Sequence, residues 1–457
     1  MRLDHLPDLP GLARALPDQF PYLLESTARG SLGSFSILLY ASDECLVLHP
    51  DGTVRGPGAG TRFFERLDDW YRSEQQATDA GEPHPLPFNG GWFLFLGYEA
   101  VSEIEGRLRL PANETGLPDA IAHRCPGAVI VGHSDDGEGA AWLVGETPAV
   151  LEELRDSMMR GERSPARFLP SGEPELQAVQ AEDPSRFRRS VRRIHEYLRA
   201  GDVFQVNLSR AWTGSFREPP DPFALYESLR HANPAPFAGL MRWEKHVLLS
   251  SSPERLVETR GRLAQTRPIA GTRPRGLTDA EDQALSEELV ENLKERAEHI
   301  MLIDLERNDL GRVCEPGSIE VNELMVVESY AHVHHIVSNV RGVLRPGASP
   351  VDAVRAVFPG GTITGCPKVR CMEIIAELEQ AGRGFYTGSM GYLDRHGNMD
   401  LNILIRSLLL SGRHFTFRTG AGIVADSDAQ AEVHETDDKA RGMLVAVESH
   451  GKELKHA

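Results

Sequence analysis

Residues 183–212 read DPSRFRRSVRRIHEYLRAGDVFQVNLSRAW, which predicts a helix followed directly by a strand. Asp183 can cap the helix, and Pro184 suits its first turn because the amide at that position has no partner within the helix. Gly201 is placed to end the helix. The apolar run that follows it is typical of a strand. One face of the predicted helix is apolar, through Phe187, Val191, Ile194 and Leu198.

The regions on either side of this stretch differ in composition. Residues 1–160 contain short apolar runs separated by Gly, Asp and Pro, which predicts a β-rich N-terminal region. Residues 161–184 are polar and dotted with proline, which is typical of a linker. Residues 185–450 alternate strands with helices, and we predict helices over 279–303, 367–380 and 429–446. The whole pattern predicts an α+β fold with two β-rich layers and helices outside.

Composition excludes several classes of protein. The chain has 457 residues, of which 40% are hydrophobic and 25% charged, as in ordinary globular proteins. It has no apolar run of about 18 residues and no signal-like apolar stretch at its N-terminus, so we expect a cytoplasmic protein without a membrane partner. The net charge is −18, which disfavours nucleic acid as a partner. Reduced thiols are expected for the scattered cysteines Cys45, Cys125, Cys314, Cys366 and Cys371.

Two glycine-rich loops are candidates for anion binding. FPGGTITGCPK, residues 358–368, has the glycine spacing of a nucleotide-binding loop, but Cys366 stands where that loop needs lysine. The helix that follows has a positive N-terminal dipole and would accept a carboxylate as readily as a phosphate; a tight turn into a packed helix is the alternative. In RTGAGIVAD, the amides of Gly420 and Gly422 can form an anion-holding nest.

Carboxylates in three segments are candidates for metal binding or acid–base chemistry. Glu295 and Glu298 share one helical face, and Glu435 lies one turn before Lys439 on another helix. Mg²⁺ suits such pairs because it takes few protein oxygens, although a solvated acidic face or a surface ion pair is the plainer interpretation. Glu254, directly after a predicted strand, is a candidate general acid if its carboxyl stays protonated; a salt bridge in a surface loop is the alternative.

The histidines of HVHH, residues 332–335, suggest zinc at first sight. On a strand, His332 and His334 face one way and His335 faces the other. No cysteine or glutamate has convincing spacing for a shared site. A single inward histidine acting on a substrate is the favoured interpretation.

Eight longer motifs follow one another along the chain: SPERL, QTRPIAGTRPRG, KERAEHIMLIDLERNDLGRV, HHIVSNVRG, FPGGTITGCPKVRCMEII, YTGSMGYLD, LNILIRS and GAGIVADSDAQAEVHETDDKA. The set resembles the chorismate-utilising enzymes, which include anthranilate synthase component I and aminodeoxychorismate synthase component I. The resemblance is dense over residues 185–445. It is looser over the N-terminal region, where it runs through PYLLES and PFNGGWFLFLGYE.

This resemblance implies a two-layered β-sandwich with helices outside, and chorismate bound with Mg²⁺ between the layers. Residues 185–450 would be the chorismate-binding catalytic domain. Glu298 and Glu435 match the metal ligands, Glu254 matches the general acid for the departing C4 hydroxyl, and His335 matches a histidine lining the reaction centre. The matched chorismate contacts are Gly271, Thr272, Tyr386, Arg406, Gly420, Gly422 and Lys439.

Within the family, the motifs favour amination of chorismate at C4. Water-using relatives carry a lysine base where this chain has Gln205, and a neutral amide cannot activate water, so ammonia is the expected nucleophile. VHHIVS, FPGGTITG and YTGSMGYL resemble aminodeoxychorismate synthase, which predicts 4-amino-4-deoxychorismate for 4-aminobenzoate and folate biosynthesis. Ala270 in PIAGT instead resembles anthranilate synthase and excludes a covalent intermediate at that position. Anthranilate synthase component I is the alternative, and a non-catalytic homologue that binds chorismate or scaffolds a glutaminase is a third.

Partners follow from the same resemblance. The sequence has no motif of a glutamine amidotransferase, so a separate amidotransferase subunit is expected to supply ammonia. LLES and NPAPF resemble the tryptophan pocket of anthranilate synthases, which makes tryptophan a candidate ligand of Ser26, Pro236 and Phe237.

Overall fold

The structure is a computed structural model, and it describes residues 1–28, 33–76, 85–133, 139–163, 175–276, 278–329 and 333–449. Within these ranges the chain forms two antiparallel sheets, with strands numbered in chain order. The first sheet contains β1 (Tyr22–Glu25), β2 (Phe35–Tyr40), β7 (Gly127–Gly132), β8 (Ala140–Gly145), β9 (Leu176–Ala181), β10 (Gln205–Phe216), β11 (Phe237–Trp243), β12 (His246–Ser252), β18 (Gly365–Cys366), β21 (Ser407–Ser411) and β22 (His414–Ile423).

The second sheet is of equal size among the described residues. It contains β3 (Cys45–Leu48), β4 (Val54–Arg55), β5 (Gly91–Leu96), β6 (Ala120–Cys125), β13 (Arg255–Arg260), β14 (Leu263–Thr266), β15 (Ile269–Pro274), β16 (Glu320–Ser329), β17 (Val333–Val343), β19 (Ser389–Asp394) and β20 (Met399–Asn402).

Helices flank both sheets. They are α1 (Leu9–Ala15), α2 (Phe63–Glu74), α3 (Pro148–Arg163), α4 (Pro184–Ala200), α5 (Pro222–Ala232), α6 (Asp279–Glu291), α7 (Leu293–Gly311), α8 (Pro350–Val357), α9 (Lys368–Glu379) and α10 (Ala429–Ser449), with a 3₁₀ helix at Tyr98–Glu103. No described helix is long and apolar enough to cross a membrane. All five cysteines are free thiols.

The inner faces of the two sheets share one apolar core. Ile37 and Leu39 of β2 pack in the same buried cluster as Phe93 and Phe95 of β5, and Tyr22 stacks on Phe93 with the ring centroids 3.8 Å apart. Separate buried clusters lie between the outer faces and the helices. This is the predicted α+β sandwich with helices outside, and the prediction is confirmed.

Strands from distant parts of the sequence are neighbours in both sheets. The first sheet runs β18-β10-β22-β21-β12-β11-β1-β2-β7-β8, with β9 also paired to β10, and the second runs β15-β17-β14-β13-β20-β19-β5-β6-β3-β4, with β16 also paired to β17. Residues 1–160 and 185–450 therefore contribute strands to the same sheets, through β1 against β11 and β5 against β19. Within the predicted linker, residues 176–181 form strand β9 against β10.

The helix predicted from the opening stretch is present with its expected ends. The Asp183 side chain accepts a hydrogen bond from the Ser185 amide, and Gly201 ends α4 with φ +78°. The single helix predicted over 279–303 is wrong, because the chain breaks between α6 and α7. At the break, Asn292 Oδ1 accepts from the Glu295 amide at 3.2 Å, so Asn292 caps the start of α7.

Candidate active site between the sheets

Glu254 lies between β12 and β13, where its carboxyl is buried. The residue is 5% exposed, and Oε1 has no hydrogen-bond partner among the described residues. Burial raises the pKa of Glu254 to about 7. Polar contacts with Thr362 and with the Ile269 amide, together with the charges of Lys439 and Arg406, lower this pKa but do not offset the effect of burial. A substantial fraction of this carboxyl is therefore protonated at neutral pH, as a general acid requires.

Gly271 and His335 meet where β15 bulges against β17. Gly271 is the extra residue of the bulge, with φ +65°. His335 is 3% exposed, and its Nδ1 lies 3.3 Å from the Gly271 carbonyl oxygen. Because a carbonyl can only accept, Nδ1 carries the proton. Burial and the charge of Arg406 lower the pKa of His335 to about 4, so the imidazole is neutral near pH 7. The side chain of Thr272, predicted to contact chorismate, lies outside the described residues.

Arg406 lies in the connection between β20 and β21, and its positive charge acts on both Glu254 and His335. Its backbone has φ +50°, a left-handed conformation that costs a non-glycine residue about 1 kcal/mol or more. The Ser251 amide donates to the Arg406 carbonyl at 3.1 Å, and Arg406 Nη1 donates to Asn233 Oδ1 at 3.2 Å. Burial lowers the pKa of Arg406 while Glu254 raises it. The strained backbone thus holds a half-buried guanidinium close to the candidate acid.

The two glycines of the predicted nest lie on β22. The Gly420 carbonyl accepts a hydrogen bond from Lys439 Nζ at 3.0 Å. A Cβ on Gly420 would lie 2.6 Å from Tyr386 Oη and 2.9 Å from Asn207 Oδ1, and one on Gly422 would lie 2.7 Å from Gln205 Nε2. The glycines are therefore needed to make room for three polar side chains. Tyr386 stays neutral, since burial raises its pKa to about 12.

Gln205 and Asn207 lie beside the same glycines. The resemblance singled out Gln205 as the position of a base in water-using relatives, but nothing in the sequence analysis identified Asn207. They lie two residues apart on β10, across from Gly422 and its neighbours on β22. Gln205 is 7% exposed and Asn207 is 8% exposed. The signal that could have found them is the alternation of polar residues at 205, 207 and 209, which predicts a polar inner face next to the glycines.

The predicted metal ligands lie on two helices that reach this end of the sandwich. Glu435 of α10 pairs with Lys439, with Oε1 and Nζ 2.7 Å apart, and both side chains are about half exposed. Glu298 is on α7, one turn after Glu295, whose buried Oε2 has no hydrogen-bond partner in the described parts of the chain. Across those same parts, no three His, Cys, Asp or Glu side chains form a ready metal site. The carboxylate donors fit a hard cation such as Mg²⁺, whose binding here stays a prediction.

A second polar site, a cavity of about 470 Å³, lies between the same two sheets. Pro236 and Phe237 line it, as predicted for a tryptophan site, together with Leu24 and Glu25. Ser26 is outside the lining, and its Oγ donates to the Ala28 carbonyl at 3.2 Å. Seven further charged side chains line this cavity: Arg255, Glu258, Arg260, Arg267, Glu323, Arg341 and Asp400.

Comparison with known proteins identifies the class to which this fold and site belong. A family described as chorismate binding enzyme matches residues 36–445. The chain therefore belongs to the chorismate-binding enzyme family.

Similar proteins carry more than one specific name. An anthranilate synthase component I-like protein of Synechocystis is 44% identical, over 80% of this chain and 74% of its own. Aminodeoxychorismate synthase component 1 of Bacillus subtilis is 40% identical, over 90% and 86%. Anthranilate synthase component 1 of Thermus thermophilus is also 40% identical, over 96% and 94%.

Solved structures agree with the fold. The crystal structure of anthranilate synthase component I from Streptococcus pneumoniae superposes with a TM-score of 0.78 at 31% identity, over 91% of this chain and 93% of that one. The isochorismate synthase MenF from Escherichia coli gives a TM-score of 0.71 at 19% identity, over 98% and 93%, and supports the fold alone.

Proposed function

We propose that this protein replaces the C4 hydroxyl of chorismate with an amino group derived from ammonia, giving 4-amino-4-deoxychorismate. Gln205, a buried neutral amide on the inner face of β10, carries the choice of ammonia. An amide cannot take a proton from water, whereas ammonia already has a nucleophilic lone pair. The choice of C4 rests on the motifs VHHIVS, FPGGTITG and YTGSMGYL. The similarity to the Bacillus subtilis aminodeoxychorismate synthase component supports the same assignment.

Glu254 supplies the proton that the leaving group needs. As the C4–O bond breaks, the oxygen keeps the bonding electrons and takes the Glu254 proton, so that water leaves. The nitrogen lone pair forms the new bond to carbon, and the resulting ammonium loses one proton to solvent. A second proton from solvent restores Glu254, so ammonia and chorismate give the amino product and water in balance.

Positive groups around Glu254 suit the two carboxylates of chorismate. Arg406 and Lys439 supply positive charge, and both act on the pKa of Glu254. Glu298 and Glu435 would hold Mg²⁺, with Glu295 and Glu432 one turn earlier on the same helices. When bound, the metal supplies positive charge for a substrate carboxylate. In this proposal, the neutral His335 imidazole lines the reaction centre.

Ala270 supports anthranilate synthesis as the second candidate function. It lies next to the Gly271 bulge and opposite Ile336, and its methyl group cannot form a covalent bond to the substrate. Two of the similar proteins named above are called anthranilate synthase component 1 or component I-like. In that reaction, ammonia is added at C2 and pyruvate is eliminated.

Product analysis separates the two candidates. Purified protein is incubated with chorismate, Mg²⁺ and excess ammonium at mildly alkaline pH, and products are followed by mass and fluorescence. A non-aromatic amino product that gives 4-aminobenzoate only after a lyase is added supports the proposal. Direct release of fluorescent anthranilate overturns it in favour of the second candidate. No turnover under these conditions favours a non-catalytic homologue.

A separate glutamine amidotransferase subunit is the proposed source of ammonia in the cell. Co-purification with such a subunit, and turnover with glutamine only when it is present, tests this point. Tryptophan is the proposed ligand of the second cavity, through Pro236 and Phe237. Calorimetry that detects no tryptophan binding, together with unchanged turnover, removes tryptophan from the proposal.

A further inference from the structure

A second buried carboxyl lies close to Glu254. Glu306 of α7 is 6% exposed, and a Cβ on Gly361 would lie 3.4 Å from Glu306 Oε1. The next residue, Thr362, makes a polar contact with the Glu254 carboxyl. The two carboxyls therefore lie against neighbouring residues of the FPGGTITGCPK loop, and the charge of Glu254 acts on Glu306.

The surroundings of Glu306 favour its protonated form. Burial raises the pKa of Glu306 well above its ordinary value, and the negative charges of Asp309 and Glu254 add to this effect. The ammonium of Lys368 and a polar contact with Thr266 act in the opposite direction. Two buried carboxyls that influence each other do not both ionise easily, because like charges repel. The pair therefore tends to keep a proton after one carboxyl has given its own away.

Two threonine hydroxyls beside these carboxyls lack hydrogen-bond partners. Thr266 Oγ1 and Thr362 Oγ1 are buried and form no hydrogen bond with any residue that the structure describes. Their polar contacts with the carboxyls thus fall short of hydrogen bonds in the unliganded protein. A buried orphan of this kind costs about 1–3 kcal/mol relative to a satisfied group. A hydroxyl can accept one proton while it donates another, so both side chains suit a path along which protons move.

The ion pair of Lys368 and Asp309 connects Glu306 to a cavity at the protein surface. Lys368 Nζ donates to Asp309 Oδ2 and, at 2.7 Å, to the Val357 carbonyl. Asp309 follows Glu306 by three residues on α7, so their side chains share one helical face. Both members of the pair line a cavity of about 810 Å³, the outer cavity, which exposed Asn308 also lines. Glu306 therefore has a source of solvent protons on one side and the candidate acid on the other.

We propose that Glu306 supplies the proton that recharges Glu254 after each turnover. Once the leaving hydroxyl has taken the Glu254 proton, the O–H bond of Glu306 breaks and a new O–H bond forms on Glu254. The Glu306 carboxylate then takes one proton from solvent in the outer cavity. This replaces the proton that solvent gained from the new amine, so the cycle is balanced. The role rests on the proposed function, because it requires Glu254 to protonate the departing hydroxyl.

Glu306→Gln tests this role by comparing the first turnover with later ones near neutral pH and at constant free ammonia. Glutamine has the shape of a protonated glutamate but no acidic proton to give. With enzyme in excess over chorismate, rapid-quench mass analysis should give a single-turnover rate within about twofold of wild type, since Glu254 already carries its proton. With chorismate in excess, kcat should fall about tenfold or more, because general acid catalysis contributes about 10²–10⁴-fold and Glu254 is recharged slowly.

Three further variants complete the test. Glu306→Asp keeps an acid on a shorter side chain and should recover much of the lost kcat. Glu291→Gln, at the exposed end of α6, is the matched control and should change neither rate. Glu306→Met removes the same acid if thermal unfolding shows that the glutamine variant does not fold.

The outcomes separate this role from the proposed function. A single-turnover rate that falls as much as kcat, or a kcat that stays within about twofold of wild type, overturns the role of Glu306 alone. Wild-type protein that does not turn over chorismate with ammonium overturns the proposed function and this role together. If the product is anthranilate and only kcat falls, the role stands and C4 amination fails, because anthranilate formation also removes the C4 hydroxyl.

Discussion

The candidate active site and the 470 Å³ cavity between the sheets differ in how their buried groups are paired. In the second cavity, Arg255 forms two hydrogen bonds with Asp400, at 2.8 and 2.9 Å, and Arg260 pairs with Glu258. In the candidate active site, oxygens of Glu254, Gln205 and Asn207 have no partner in the described ranges. The first arrangement stabilises the sandwich by itself. The second leaves buried oxygens that a bound substrate or water can pair with, and unpaired groups of this kind are typical of functional sites rather than of structural ion pairs.

The largest expected effect is the loss of turnover in Glu254→Gln. Glutamine keeps the size of the side chain but cannot protonate a leaving group, so kcat should fall by about 10²–10⁴-fold. Chorismate-dependent turnover with ammonium measures this, and calorimetry should show chorismate binding retained. Glu44→Gln, at an exposed loop position, is the matched control. A loss of less than threefold would show that Glu254 is not the acid.

In the paired cavity, Asp400→Asn should destabilise the protein. The substitution leaves the buried Arg255 guanidinium with Glu258 alone, at 3.2 Å, and breaking a buried pair costs about 3–5 kcal/mol. The midpoint of urea unfolding should therefore fall. Asp304→Asn, which breaks an exposed pair with Arg307, should change stability by no more than about 1 kcal/mol. If the two substitutions lower the free energy of unfolding equally, the Arg255–Asp400 pair does not stabilise the fold as proposed.

The pH profile should follow the protonation of Glu254. Its pKa is raised to about 7, so the acid is present below that pH and is lost above it. At constant free ammonia, kcat should therefore decline as pH rises through about 7. Because Lys439 lowers this pKa, Lys439→Gln should move the decline to higher pH. Lys245→Gln, in an exposed turn, should leave the profile in place. If the pH at which kcat declines is the same in Lys439→Gln as in the wild type, the decline does not report the protonation of Glu254.

The smallest expected effect is a gain in stability from Asn207→Leu. The substitution removes a buried acceptor that has no partner in the unliganded protein, so unfolding should become harder by up to about 1 kcal/mol. Urea unfolding without ligand measures this. A protein that is less stable than wild type would show that Asn207 supports the fold rather than the ligand.

Local sequence signals predicted helix α4 together with both of its ends. The cap at Asp183 and the stop at Gly201 fixed α4 because both act through neighbouring backbone groups. The break at Asn292 was missed because the acidic and apolar pattern of α6 and α7 continues across it. The capping role of Asn292 depends on one local hydrogen bond, 3.2 Å long, which composition does not reveal.

The sequence named candidate site residues, but it did not predict how they come together. Gly271 and His335 touch only because β15 bulges against β17, and a bulge shifts register in a way that a linear pattern does not encode. Asn207 lies in the site because β10 pairs with β22, which places it beside Gly420, 213 residues later in the chain. The metal, the product and the tryptophan site stay predictions.

The pairing of β1 with β11 and of β5 with β19 also constrains how the protein can be made. Tyr22 pairs with Met241, and Gly91 pairs with Asp394. During translation, β1 and β5 therefore have no strand partner from this second half of the chain until more than two hundred further residues have been synthesised. Such long-range antiparallel contacts slow folding, because each closes a large loop before any contact compensates for the lost chain entropy. Until then, the apolar edges of β1 and β5 are open to aggregation or chaperones. A nascent chain stalled before residue 237 should accordingly remain protease-sensitive throughout β1, and one released after β22 should become protected in a single step.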